Sequence, residues 1–78
     1  MKSMTCRDLG GACDYVFRAA TFEEIGRLSM AHGKEMAAKN DQPHLDAMTA
    51  MGPIMADPQL MSKWLAEKQA AFDNSPEV

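Results

Sequence analysis

The chain has 78 residues, 46% hydrophobic and 24% charged, with a formal net charge of −3. Folding a chain of this size buries only about 60% of its unfolded surface, so one small domain is expected, and such scaffolds draw on a disulfide, a metal or a partner subunit for stability. Residues 1–40 carry six basic and five acidic groups and residues 41–78 carry two and six; with no basic stripe, phosphate backbones and anionic membranes are excluded as partners. No window approaches 18 consecutive apolar residues, so no membrane span is read. Lys2 has no apolar run behind it, so no secretory signal is read either. A cytoplasmic location is therefore expected, where two cysteines serve as thiols or ligands rather than as a permanent crosslink.

Residues 1–20 read as a β-hairpin. Met4 and Cys6 share one face of the first strand, and Cys13, Tyr15 and Phe17 share one face of the second. Gly10 and Gly11 supply the positive φ angles of a tight reversal. Centring the turn on the glycines sets Cys6 opposite Tyr15; centring it one residue earlier sets Cys6 opposite Cys13. Both registers leave the two sulfurs on one face.

Thr21-Phe22-Glu23-Glu24 is a capping box that starts a helix running to about Lys39, ended by Asn40-Asp41. At 100° per residue, Phe22, Leu28, Ser29, His32 and Met36 fall within about 60° of Ile25. Gly33, inside this helix, marks a close backbone approach or a kink. Pro43 opens a second helix carrying Leu45, Met48, Met51 and Met55, which Gly52-Pro53 is expected to bend or split. Asp57-Pro58 then reads as N-cap and first turn of a last helix, with Leu60, Met61, Trp64, Leu65 and Phe72 on its apolar side, before a frayed tail over 74–78. The fold class is α+β: a ββα module over 1–42 and a Met-rich helical extension over 43–78 within the same domain.

Cys6, Cys13 and His32 follow the spacing C-x6-C-x18-H. Zinc takes thiolates and imidazoles at tetrahedral corners, and a ββα unit supplies both from a hairpin and a helix. Asp8, Asp14, His44 or water are candidates for the fourth position. Met36, one turn past His32, is another; a thioether beside two thiolates suits copper(I) better than zinc, because the donor is soft. Arg7 and Asp8, at the mouth of the hairpin, and Asp14 are read as outer residues that pair or orient a ligand, or as a solvated turn. The plain alternative needs no metal: the thiols are core residues and His32 bonds to a backbone carbonyl.

Met4-Thr5-Cys6-Arg7-Asp8-Leu9-Gly10, Cys13-Asp14, Thr21-Phe22-Glu23-Glu24 and Ala31-His32 together resemble the family called domain of unknown function 1059, described as predicted small metal-binding proteins. The resemblance covers about residues 1–39 and implies metal binding without a reaction. The family pattern places a second histidine five residues after the first, where this chain has Ala37.

Three functions follow. The first is a non-enzymatic metal-binding protein, acting as buffer, carrier or metal-stapled adaptor through Cys6, Cys13 and His32, with Met36 or His44 as fourth donor. The second is an interaction module whose helices over 43–72 dock on a protein partner. The third is a thiol sensor in which Cys6 and Cys13 oxidise. A lone hairpin is marginal in water with exposed edges, so a homodimer is also expected. No carboxylate is placed as a general base and the chain leaves little room for a substrate pocket, so enzyme activity is not read.

Overall fold

The structure is a computed structural model that describes residues 1–77. Strand β1 (Lys2–Thr5) pairs antiparallel with β2 (Val16–Ala19), and three helices follow: α1 (Phe22–Ala38), α2 (Gln42–Ala56) and α3 (Pro58–Asn74). This is the α+β architecture that the sequence predicts. Met4 faces Phe17 and Thr5 faces Val16 across the ladder, and the Cys6 amide continues it to the Tyr15 carbonyl at 2.8 Å. The register is therefore the one centred on the glycines.

The reversal is longer than a tight turn. Cys6 leads into a 3-10 turn over Arg7–Leu9, closed by Gly10 at φ 86°, a left-handed conformation that glycine reaches without steric cost. Gly10 alone has positive φ among the glycines. The chain then folds back, with the Arg7 amide bonded to the Cys13 carbonyl at 2.9 Å. Cys13 thus sits in this loop rather than on β2, which begins only at Val16.

The inward faces of the two strands bring Met4, Phe17 and Ala19 together with Ile25 of α1 and Phe72 of α3. Ile25 is fully buried, worth about 1.5–3 kcal/mol relative to an exposed side chain. The Phe22 and Phe72 rings meet at 5.9 Å, and Lys2 Nζ lies over the Phe72 ring. Phe72 is the one buried residue of α3; Leu60 and Leu65, expected on its buried side, are exposed.

The first and last helices start at the caps the sequence predicts, and α2 starts one residue before Pro43, behind Asp41. Thr21 Oγ1 accepts from the Glu24 amide at 3.2 Å, Asp41 Oδ2 from the His44 amide at 3.2 Å, and Asp57 Oδ1 from the Gln59 amide at 2.9 Å. α1 ends with Asn40 at φ 55°, its amide bonded to the Ala37 carbonyl and the Asp41 amide bonded to the Met36 carbonyl. This paired closure satisfies two of the orphan carbonyls at a helix end and reverses the chain sharply. It returns α2 alongside α1, where a Cβ added to Gly33 would lie 3.3 Å from Met48 Cε. Gly33 therefore serves a close approach.

Gly52-Pro53 neither splits nor ends α2, which continues to Ala56. Proline removes the donor to the carbonyl four residues back; that carbonyl belongs to Thr49, an exposed residue. In the C-terminal segment Ser75 donates to the Phe72 carbonyl and Glu77 pairs with the Met1 amino group at 2.6 Å. Val78, the end of the expected tail, lies outside the described residues.

Candidate metal centre

Three elements deliver four donor residues to one point. Cys6 and Cys13 come from the loop between the strands, His32 from α1 and His44 from α2, and one ligand atom of each lies within 4.8 Å of the others. Cys13 Sγ is 3.3 Å from His32 Nε2 and Cys6 Sγ is 3.6 Å from His44 Nε2. Cys6, His32 and His44 keep only 5, 7 and 5% of their surface exposed, while Cys13 is half-buried. Both thiols are free. A group of this composition and spacing is able to hold a metal ion.

Backbone geometry explains how each side chain reaches the point. The Cys6 carbonyl accepts from the Leu9 and Gly11 amides at 3.1 and 2.8 Å, so the loop wraps back over its own cysteine. A Cβ at Gly11 would sit 2.1 Å from Cys6 Sγ, and only glycine leaves the sulfur its place. The His32 ring stacks on Tyr15 at 4.8 Å and meets the edge of Phe17 at 5.5 Å. The His44 ring stands across it at 5.3 Å.

His44 has a further support that the sequence reading missed. Its Nδ1 lies 2.5 Å from Asp41 Oδ2. The Asp41 carboxylate thus caps α2 through the His44 amide and fixes the ring of the same residue, leaving Nε2 turned toward Cys6. The signal was present as Asp-Gln-Pro-His, a cap with a histidine three residues on, but Asn40-Asp41 was read only as the end of α1.

Proton affinities follow these contacts. The bond to Asp41 raises the His44 imidazole above its ordinary value, against an opposing effect of burial. The same bond holds Asp41 below the usual carboxylate range. Burial pushes the Cys6 thiol up, and the backbone amides of Cys13 and Ala12 offset only part of this. Burial acts on Cys13 in the same sense, but the Tyr15 backbone, His44 and Cys6 outweigh it and bring that thiol down.

The carboxylate candidates Asp8 and Asp14 stand outside the group. Met36 lies one turn past His32 and is half-buried. Asp8 exchanges bonds with Thr5, its Oδ2 accepting from the Thr5 amide at 2.9 Å and its amide donating to Thr5 Oγ1 at 3.0 Å. Arg7 pairs with Asp14 at 3.0 Å, both largely exposed, and not with Asp8. These bonds brace the loop from its solvent side.

Beside the centre, α1, α2 and α3 leave a cleft of about 620 Å³ that reaches Cys6, His32 and His44 and is walled by Met48, Met51 and Trp64. The short chain was expected to leave little room for a pocket, and this cleft is larger than that expectation. No helix among the described residues is long and apolar enough to cross a membrane. Searches of protein-family models, curated proteins and solved structures returned no match to this chain. The resemblance to domain of unknown function 1059 gains no support from them and rests on its motif residues alone.

Proposed function

We propose that this chain is a small non-enzymatic zinc-binding protein, a metal buffer, carrier or metal-stapled adaptor. Cys6 Sγ, Cys13 Sγ, His32 Nε2 and His44 Nε2 would be the ligands. The observation that carries this reading is the spacing of the donors. In a zinc tetrahedron with bonds of about 2.3 Å to sulfur and about 2.0–2.1 Å to nitrogen, a sulfur and a nitrogen lie about 3.5 Å apart. Two of the four sulfur–nitrogen separations here are 3.3 and 3.6 Å.

The chemistry of the donor set agrees. Two thiolates and two imidazoles suit zinc. Four protein ligands close the coordination sphere; a catalytic zinc site keeps one position open for water. Asp41 supplies the carboxylate behind a metal-ligating histidine that orients the ring and raises its basicity. Holding an ion here would tie the loop, α1 and α2 together, so binding free energy would become folding free energy. That supplements a core of six buried apolar residues.

Cobalt(II) titration tests the reading. At one equivalent the chain should show the visible bands of tetrahedral coordination with sulfur-to-metal charge transfer, bleached by zinc. Weak octahedral bands alone would overturn it.

A second reading rests on the cleft. Met48, Met51, Met55 and Met61 are flexible, polarizable side chains of the kind that accommodate an amphipathic partner helix. Here the helices over 43–72 would dock a protein partner, with the metal centre holding α2 in place. Self-association is the simplest form of it. Light scattering that gives a dimer, reduced to monomer by Met48→Glu, would support it; a monomer at micromolar concentration would remove the homodimer.

A further inference from the structure

We propose, building on the metal-binding reading, that Cys6 and Cys13 form an oxidisable pair through which a hydroperoxide empties the centre. Both thiols are free, and their sulfurs lie within 4.8 Å of one another. The Arg7 amide bond to the Cys13 carbonyl and the Cys6 amide bond to the Tyr15 carbonyl hold the two chain segments side by side. The sulfurs then have to close from within 4.8 Å to a bonding distance of about 2.05 Å.

The two positions are unequal in a way that assigns their roles. Cys6 is buried beneath Gly11, whereas Cys13 is half-buried at the loop surface. Cys13 therefore meets the solute and Cys6 resolves the product. The Cys13 thiolate attacks the O–O bond of the hydroperoxide: an S–O bond forms, the O–O bond breaks, and the departing oxygen leaves as alcohol (water, from hydrogen peroxide) after taking a proton from solvent. The Cys6 thiolate then attacks the Cys13 sulfur. An S–S bond forms, the S–O bond breaks, and the hydroxyl leaves as water with a second solvent proton. Two thiolates are oxidised by two electrons in all and one peroxide is reduced by two. A disulfide offers no thiolate, and thiolates are the sulfur ligands of metals. His32 and His44 remain, half of the original donor set.

Hydrogen peroxide added to the zinc-loaded chain tests this. The expected result is a loss of about 2 Da in intact mass, a Cys6–Cys13 disulfide in the peptide map, release of one zinc per chain to a chromophoric chelator, and recovery of zinc binding after dithiothreitol. Oxidised methionines gain about 16 Da each and are told apart by sign. In Cys6→Ser, where Cys13 has no resolving partner, the loss should be replaced by added oxygen on Cys13. Zinc that stays bound while both thiols remain reduced, or thiols driven to sulfinic acid without a disulfide, would overturn the proposal and leave the metal reading standing. A chain that takes up no zinc yet closes the disulfide would overturn the metal reading and the release with it.

Discussion

Asp41 Oδ2 lies 2.5 Å from Nδ1 of His44 and also accepts the His44 amide at 3.2 Å, so one carboxylate sets both the start of α2 and the direction of a ligand ring. The two roles separate by mutation. Asparagine caps a helix about as well as aspartate, so Asp41→Asn should leave the helical far-UV signal unchanged. Metal affinity should fall by about 10–100-fold, the usual effect of losing an outer partner of a ligand histidine. Chelator competition reads the affinity; an unchanged value would show that the carboxylate serves the cap alone.

Glycine substitutions should divide the loop from the helix. Gly11→Ala puts a Cβ 2.1 Å from Cys6 Sγ, so the sulfur must move and metal affinity should fall more than tenfold. Gly26→Ala in α1 meets nothing within 4 Å. It should keep full affinity and stabilise the fold by about 0.5–1 kcal/mol, the ordinary gain of alanine over glycine inside a helix. Equal affinities for the two variants would contradict the packing of the loop over Cys6.

The Asp41–His44 pair predicts opposite pH trends for the free and metal-loaded chain. The His44 pKa is raised above 6.5, so its contribution to folding is complete below that pH and is lost as pH rises through the raised value. The Asp41 pKa is lowered from 3.8, so its contribution is complete above that pH and is lost as pH falls through the lowered value. In the metal-free chain the pair therefore stabilises most between pH 3.8 and 6.5. Metal needs neutral imidazole and thiolate, so affinity should climb as pH rises out of that window. Urea midpoints of the metal-free parent and Asp41→Asn, compared across pH, should differ most inside it and converge as pH rises through the raised His44 value.

The core test is independent of the site. Ile25 is fully buried while Leu28, one turn on, is partly exposed. Ile25→Ala should cost about 2–5 kcal/mol, and Leu28→Ala well under half as much. Similar losses in urea unfolding would mean that α1 packs by a different face.

Local chemistry was the legible part of the sequence. Thr21 and Asp57 each placed a helix start because a side-chain oxygen beside orphan amides has one good use; the cap at Asp41 was hidden by its place at the end of α1. The inward position of His32 followed from helical periodicity, whereas Cys13, expected on the second strand by alternation, is carried by the loop before β2. The loop was harder. Two adjacent glycines predict a tight turn, but Gly10 alone takes positive φ, and Gly11 is there to clear a sulfur that is distant in no local pattern. Pro53 was read as a breaker, although it falls near the end of α2, where the carbonyl it leaves without a donor belongs to an exposed residue. His44 entered only as one of several fourth ligands, because its arrival beside His32 depends on the closure at Asn40 that folds α2 back on α1. That is tertiary information carried by a single backbone angle.

Native mass spectrometry of the full chain, purified without added metal and then given zinc, tests the central claim most directly. The account predicts one zinc per chain, with displacement of two protons as the thiols become thiolates, and loss of that zinc when His44 or Cys13 is replaced by alanine. A spectrum showing only the bare chain after zinc is supplied, or zinc retained equally by both variants, would contradict it.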